Sequence, residues 1–289
     1  MNTEIIQLKG VVKKFHNNVV LDNVNLSIPE DQITGIIGAS GEGKSTILKI
    51  MIGFYKPNKG EVLYLKRSVF NDLDHVNKTF GFATEDGSFY TNLTVEENLH
   101  HFGYLYNMKH SEVNKRAKEL LHFVGLADAA NTRAKYLSVG MKKRLDFACS
   151  MVHTPKILIM DEPTADLDPL LRKQILTLIR KLKNQGTTIV LTTQLLEEMD
   201  TLCDKIAILC NKKIVEEGSP EKIRAKYKAN SLNDVFEKIF AKYDVKEKKQ
   251  IEKKDSPLVE KQNIKKEEKT ESQVFQKNSE KIKTGAEND

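Results

Sequence analysis

The sequence predicts an α/β fold built on a largely parallel sheet, and three observations point there. Short apolar runs that read as buried strands (QITGIIG, KILIMD, TTIVLTT, DKIAILC) alternate with stretches of helical periodicity. One glycine-rich loop stands between such a strand and a helix, and an all-helical stretch from about residue 94 to 152 interrupts the alternation as an insert. Taken in order, IIQLKGVVKKF and VVLDNVNLSI read as early strands, and QITGIIG runs into glycine before a helix from about Lys44 to Gly53. EVLYL and FGFAT suggest a further strand pair. TVEENLHHFGYLYNM, SEVNKRAKELLHFVGL and VGMKKRLDFACSMV supply the helices of the insert. KILIMD, TTIVLTT and DKIAILC follow as strands, separated by helices starting near Pro169 and Leu195. The strand KKIVEEG and two short helices, PEKIRAKY and LNDVFEKIFAKY, close the folded part.

Composition bounds what such a chain can be. With 289 residues, 39% hydrophobic and 30% charged, it can bury the core of one large domain or two modest ones, which excludes a collagen-like or fully disordered chain. No apolar run reaches the ~18 residues of a membrane helix, and MNTEIIQLKG lacks the apolar core of a signal peptide. The expectation is a protein that does not itself cross a bilayer. Cys149, Cys203 and Cys210 form no CxxC and match no zinc spacing, as in a reduced, cytosolic protein. A net charge of +6 permits contact with anionic lipid or nucleic acid without demanding either, because Lys and Glu are mixed along the chain. Beyond about residue 243 the segments KEKKQIEKKD, QNIKKEEKTE and QKNSEKIKTG carry few large apolar residues. Residues 243–289 are therefore expected to form a charged, disordered tail with at most transient helix.

Gly38, Ala39, Ser40, Gly41, Glu42, Gly43, Lys44, Ser45 and Thr46 spell GASGEGKST, which fits GxxxxGK[ST] at every fixed position. Glycines let backbone N–H groups converge on phosphate oxygens without Cβ clashes, and a helix N-terminus adds positive potential. Lys44 suits the β/γ oxygens, and the Ser45 hydroxyl suits Mg²⁺. A glycine-rich turn that matches by chance is the alternative; the preceding strand and following helix argue against it. Taken alone, this loop says only that a nucleoside triphosphate is bound.

The run KILIMDEPTADLD supplies a complement. Its apolar strand ends in Asp161 and Glu162, which places two carboxylates where a parallel sheet binds ligands, at its carboxyl edge. Asp161 suits Mg²⁺ held through water, and Glu162 suits a base that polarises an attacking water. The alternative, a strand running into a solvated acidic turn, is disfavoured by the phosphate loop upstream.

The order of the motifs adds a family. Between the loop and the acidic strand lies LSVGMKKR, Leu137 to Arg144, just before a helix, and with it the chain resembles the ATP-binding cassette (ABC) ATPases of membrane transporters over about residues 4–242. The resemblance implies a P-loop NTPase (RecA-like) core with a mostly parallel sheet and an N-terminal antiparallel β subdomain. It also implies a helical subdomain at about 88–152 that carries the signature, and a C-terminal strand and helices at about 204–242. Ser138 and Gly140, which alone would read as an ordinary helix cap, are then implied to face the γ-phosphate of an ATP held by a second cassette. Phe15 occupies the place of the family's adenine-stacking aromatic; on pattern alone it is equally a core residue of its strand. Ala165 to Asp168 correspond to the loop that crosses the dimer interface, and SVGMKKRL with a terminal LNDVF segment looks most like exporters whose membrane subunit is a separate polypeptide.

Two positions depart from the family pattern. Glu85 stands where the family has a Gln that touches Mg²⁺ and senses the membrane subunit, and Gln194 where it has a switch His. Val139 replaces a Gly of the signature. Gln194 can donate a hydrogen bond to the γ-phosphate but cannot carry an imidazolium charge, and Glu85 adds negative charge that direct metal coordination can offset. One lost charge-assisted contact is worth about 2–4 kcal/mol of transition-state stabilisation, so slow turnover is one expectation; a compensating pair with ordinary activity is the other.

What the resemblance implies overall is an ATP- and Mg²⁺-dependent hydrolase with catalytic Glu162, Lys44 and Gln194 and metal-facing Ser45, Asp161 and Glu85. It pairs with itself or another cassette and sits on the inner face of the cell membrane through a separate permease, with no nucleic-acid partner. A soluble cassette ATPase acting on ribosomes or nucleic acid, and an ATP-gated partner cassette with little turnover, are the alternatives carried forward.

Overall fold

The computed structural model describes residues 3–254. A long hairpin opens the chain, β1 (Glu4–Phe15) and β2 (Asn18–Pro29), followed by the buried strand β3 (Ile33–Ile37) and the helix α1 (Lys44–Met51). Then come β4 (Lys59–Tyr64), β5 (Arg67–Ser68), α2 (Leu73–Thr79) and β6 (Phe80–Ala83). The insert contributes α3 (Val95–Leu105), α4 (His110–Phe123) and α5 (Val139–Ser150). Alternation resumes with β7 (Ile157–Asp161), α6 (Pro169–Lys183), β8 (Thr188–Thr192), α7 (Leu196–Leu202) and β9 (Lys205–Cys210). The described chain ends in β10 (Lys213–Gly218), α8 (Pro220–Tyr227) and α9 (Leu232–Lys254).

Two sheets organise these elements. One is six-stranded in the order β10-β9-β3-β8-β7-β6, parallel from β9 to β6 with β10 antiparallel at its edge. The other is antiparallel, in the order β2-β1-β4-β5. Helix α1 shares a core cluster with both: Ile47, Leu48, Ile50 and Met51 pack with Ile6, Leu8 and Leu21 of the hairpin and Ile36, Ile159 and Val190 of the parallel sheet. Each such side chain contributes about 1.5–3 kcal/mol through burial, so the helix that follows the phosphate loop is fixed against both layers. Strands β3, β7 and β8 are buried throughout, which is why they read as unbroken apolar runs.

One expectation is corrected. EVLYL and FGFAT are not partners: β4 pairs antiparallel with β1, and β6 pairs in parallel with β7. An apolar pattern identifies a strand but not its neighbour, and a helix that the pattern does not announce, α2, lies between the two strands.

The insert is set by local caps. Thr94 and Glu97 form a capping box at the start of α3, and the buried Asn98 holds the preceding loop by accepting from Tyr90 N–H and donating to the carbonyls of Tyr90 and Thr94. Helix α9 extends to Lys254, past the boundary expected near residue 243, over Lys- and Glu-rich sequence with good helix propensity. The rest of the expected tail, 255–289, lies outside the described residues. No helix among the described residues is long and apolar enough to cross a membrane, and the three cysteines are free and buried.

Candidate active site

The register of the parallel sheet brings three strand ends into line. Ile36 of β3 lies opposite Thr192 of β8, and Thr192 lies opposite Asp161 of β7. The loops leaving those ends are 38–43, 162–168 and 193–195, which together with the first turn of α1 carry most of the candidate residues.

The loop after β3 is shaped by glycine. A Cβ on Gly38 would come within 2.7 Å of the Leu209 carbonyl of β9, and Gly43, the N-cap of α1, has φ 107°, a conformation that L side chains rarely adopt. Ser40 and Gly41 are exposed; Ser45 and Thr46 sit half-buried in the first turn of α1, which has no acidic residue to cancel its positive end. Lys44 is buried and turns back across the loop, donating to the carbonyls of Gly38 at 3.1 Å and Ala39 at 3.2 Å. The Glu42 carboxylate accepts the Lys212 N–H in the turn after β9, which leaves its backbone as what it offers a ligand.

The acidic pair is held from β8. Thr192 Oγ1 donates to Asp161 Oδ1 at 2.6 Å and accepts the Glu162 N–H at 3.1 Å. Glu162 has φ 48°, left-handed backbone that costs a non-glycine residue about 1–2 kcal/mol. The bonds around it hold that conformation: Oε2 accepts the Gln194 N–H at 3.1 Å, and Oε1 lies 3.6 Å from Lys44 Nζ, both side chains being 7% exposed. Oε1 has no hydrogen-bond partner of its own. Burial pushes the Glu162 carboxyl above its ordinary value, further aided by the Asp161 and Glu85 charges, while Lys44 and the Gln194 N–H pull the other way. The product is a buried carboxylate poised closer to neutral pH and facing an ammonium group.

The remaining expected residues differ in burial and in their partners. Glu85 is exposed just after β6. The Gln194 side chain is exposed, and only its backbone enters the network. Phe15 ends β1 half-buried, edge-on to Tyr55 with Lys13 over its ring, so it is not a core residue. Ser138 is the exposed N-cap of α5 and accepts the Met141 N–H; Gly140 is buried where a Cβ would strike Leu171. Among the described residues, no hydrogen bond or ion pair joins Ser138 to the phosphate loop of its own chain.

Several residues of this neighbourhood were missed in the sequence. Thr192 links the Asp161 carboxylate to the Glu162 N–H; a Thr at the carboxyl end of a buried strand was the available signal. Thr164 donates to Glu198 at 2.8 Å, and Glu198 pairs with Arg172 at 3.1 Å, which also donates to the Leu167 carbonyl. This network ties the segment after Glu162 to α7; nothing short of the fold joins its three members. Asp168 caps α6 through the N–H groups of Leu170 and Leu171.

A family described as ABC transporter matches residues 21–165. The chain is 34% identical over 230 residues to the daunorubicin/doxorubicin resistance ATP-binding protein DrrA of Streptomyces peucetius, covering 80% of this chain and 70% of that protein. It is 34% identical over 221 residues to the Nod factor export ATP-binding protein I of Bradyrhizobium diazoefficiens, covering 76% and 72%. With the probable multidrug ABC transporter ATP-binding protein YbhF of Escherichia coli it shares 33% over 230 residues, 80% of this chain but 39% of that protein. Among solved structures, an ATP-binding subunit of an ABC transporter superposes with a TM-score of 0.74 at 26% identity, covering 81% of this chain and 98% of the other.

Proposed function

The chain belongs to the ABC transporter family, and from that premise we infer how its residues do the work of an ATP-binding, ATP-hydrolysing subunit of an export-type transporter. The observation that carries the inference is the meeting of Lys44, Glu162 and the Gln194 N–H at the ends of β3, β7 and β8.

The Lys44 ammonium is shared between two loop carbonyls and Glu162. A triphosphate entering the Gly38–Thr46 loop competes for that ammonium, which neutralises β/γ oxygens and releases Glu162 from its counter-charge. Without Lys44, burial and the neighbouring carboxylates act on Glu162 unopposed except by the Gln194 N–H, which keeps the carboxylate oriented. Glu162 then takes a proton from the water that attacks the γ-phosphate, a role worth about 10²–10⁴-fold. Phe15 stacks on the adenine from the end of the hairpin.

The donor set fits Mg²⁺. Asp161 and Ser45 offer hard oxygen donors, and Mg²⁺ is commonly held by one or two carboxylates together with phosphates. Asp161, oriented by Thr192, with Ser45 and Glu85, would hold it. When bound, Mg²⁺ supplies positive charge against the phosphate oxygens.

Ser138 and Gly140, at the exposed start of α5, complete the site of a second cassette, so that each ATP lies between Gly38–Thr46 of one copy and Ser138–Gly140 of the other. Closure on ATP and separation after hydrolysis move a separate membrane permease gripped near Glu85 and the insert, with the cassette on the inner face of the membrane. The full chain should lose ATPase activity per molecule on dilution, and Lys44→Ala should lose nucleotide affinity. Activity per molecule that stays constant to nanomolar protein, or a Lys44→Ala variant with full affinity, would overturn this arrangement.

A further inference from the structure

Helix α5 carries a carboxylate on its buried side. Asp146 is 3% exposed, in a stretch otherwise made of Leu145, Phe147, Ala148 and Cys149, and it enters no ion pair of the described residues. Burying a carboxylate is costly unless donors compensate, and here they come from one loop. Asp146 Oδ1 accepts the Ser88 N–H at 2.6 Å, and the Ser88 hydroxyl and Thr84 N–H also stabilise its charge. Nearly one turn earlier on the same helix, Lys143 Nζ donates to the Glu85 carbonyl at 2.6 Å. Thr84 and Ser88 face each other through their hydroxyls at 3.3 Å, closing the loop on itself.

Residues 84–88 are thus fastened at two points to one rigid helix whose first turn is capped by Ser138. We propose that Asp146 and Lys143 are positioning residues, a clamp that makes the Glu85 loop and the Ser138 helix one moving piece. Glu85 beside a chain's own ATP and Ser138 beside that of the second copy then shift together, so the closure of one half-site is felt at the other. The proposal rests on the placement of Glu85 and Ser138 at two nucleotide half-sites.

The test uses the full chain with Asp146→Ala, Asp146→Asn and Lys143→Met, read by exchange of the Ser88 amide, ATP affinity, kcat and thermal midpoint. Asp146→Ala should speed Ser88 exchange and lower kcat, each about tenfold, with ATP affinity unchanged within about twofold. Asp146→Asn keeps an acceptor oxygen and should restore both. Lys143 is half-buried, so Lys143→Met tests the second point even if Asp146→Ala fails to fold, and it should lower kcat in the same direction. Unchanged exchange at Ser88 would remove the clamp. Freed exchange with wild-type kcat would remove the coupling, as would kcat losses that merely follow the thermal midpoint. A Lys44→Ala control reports separately on the placement of the nucleotide itself.

Discussion

The strand-end site and the start of α5, both proposed above to face phosphate, are finished to different degrees. At the ends of β3, β7 and β8, Asp161 is bonded by Thr192, Glu162 by the Gln194 N–H, and Lys44 already stands 3.6 Å from Glu162. At α5 the Ser138 hydroxyl serves only its own helix, and Val139 beside it is 55% exposed. The first region is preorganised inside one chain; the second, on the reading proposed above, is completed by a second copy. Chemistry and assembly should therefore separate under mutation.

The largest separation is expected at Glu162. Glu162→Gln keeps an acceptor for the Gln194 N–H but no base, so phosphate release should fall at least about 100-fold while nucleotide binding persists. Hydrolysis within tenfold of wild type would place the base elsewhere and erase the distinction between the two regions.

Asp146, on α5 itself, sharpens the comparison through pH. Burial pushes its carboxyl from 3.8 up to about 6, against the Ser88 and Thr84 donors and the Lys143 charge. Between those values the folded chain holds a proton that the unfolded chain has released. The group's contribution to stability is complete below pH ~4 and is lost as pH rises through ~6, a change of about 3 kcal/mol at about 1.4 kcal/mol per unit. In urea denaturation, wild type should lose stability relative to Asp146→Asn by that amount over this window. A pH-independent difference would mean that the carboxylate is effectively solvated.

At Ser138 the effect is smaller and of another kind. Ser138→Ala removes an N-cap worth about 1 kcal/mol and the hydroxyl offered to a second copy. ATP affinity of the dilute chain should be unchanged, while activity at a fixed low protein concentration should drop about tenfold. Equal losses of affinity and activity would place Ser138 at its own chain's nucleotide instead.

The contrast also explains what was legible in the sequence. The phosphate loop and Asp161–Glu162 were legible because their chemistry is contiguous: glycines, Lys44 and Ser45 must follow one another, and two acids must end a buried strand. The alternation of elements was legible because β3, β7 and β8 are buried on both faces. Sheet partnership was not, since β4 and β6 carry similar patterns yet join different sheets. Nor were Thr192, the Thr164–Glu198–Arg172 network and the Asp146 clamp, whose members meet only after segments far apart in the chain are placed side by side. Asp146 left one trace, a lone acid within LDFACS, the kind of local conflict that marks a residue with a partner elsewhere.

Gln194 offers the finest cut between the two regions. Its backbone N–H holds Glu162 whatever side chain stands there, so the orienting bond survives the replacement of the family's His. What differs is the exposed side chain, which can meet a γ-phosphate only through a neutral hydrogen bond. Gln194→His would make that contact charge-assisted while the imidazole is protonated, a gain of about 1 kcal/mol, or roughly three- to tenfold in kcat. The gain should be largest below about pH 6.5 and fade above it. If kcat stays flat across that range while Glu85→Gln and the double variant Glu85→Gln/Gln194→His also leave it unchanged, the departures at 85 and 194 do not limit turnover. A gain confined to the double variant would show instead that the two positions act as one unit, linking the loop clamped to α5 with the end of β8.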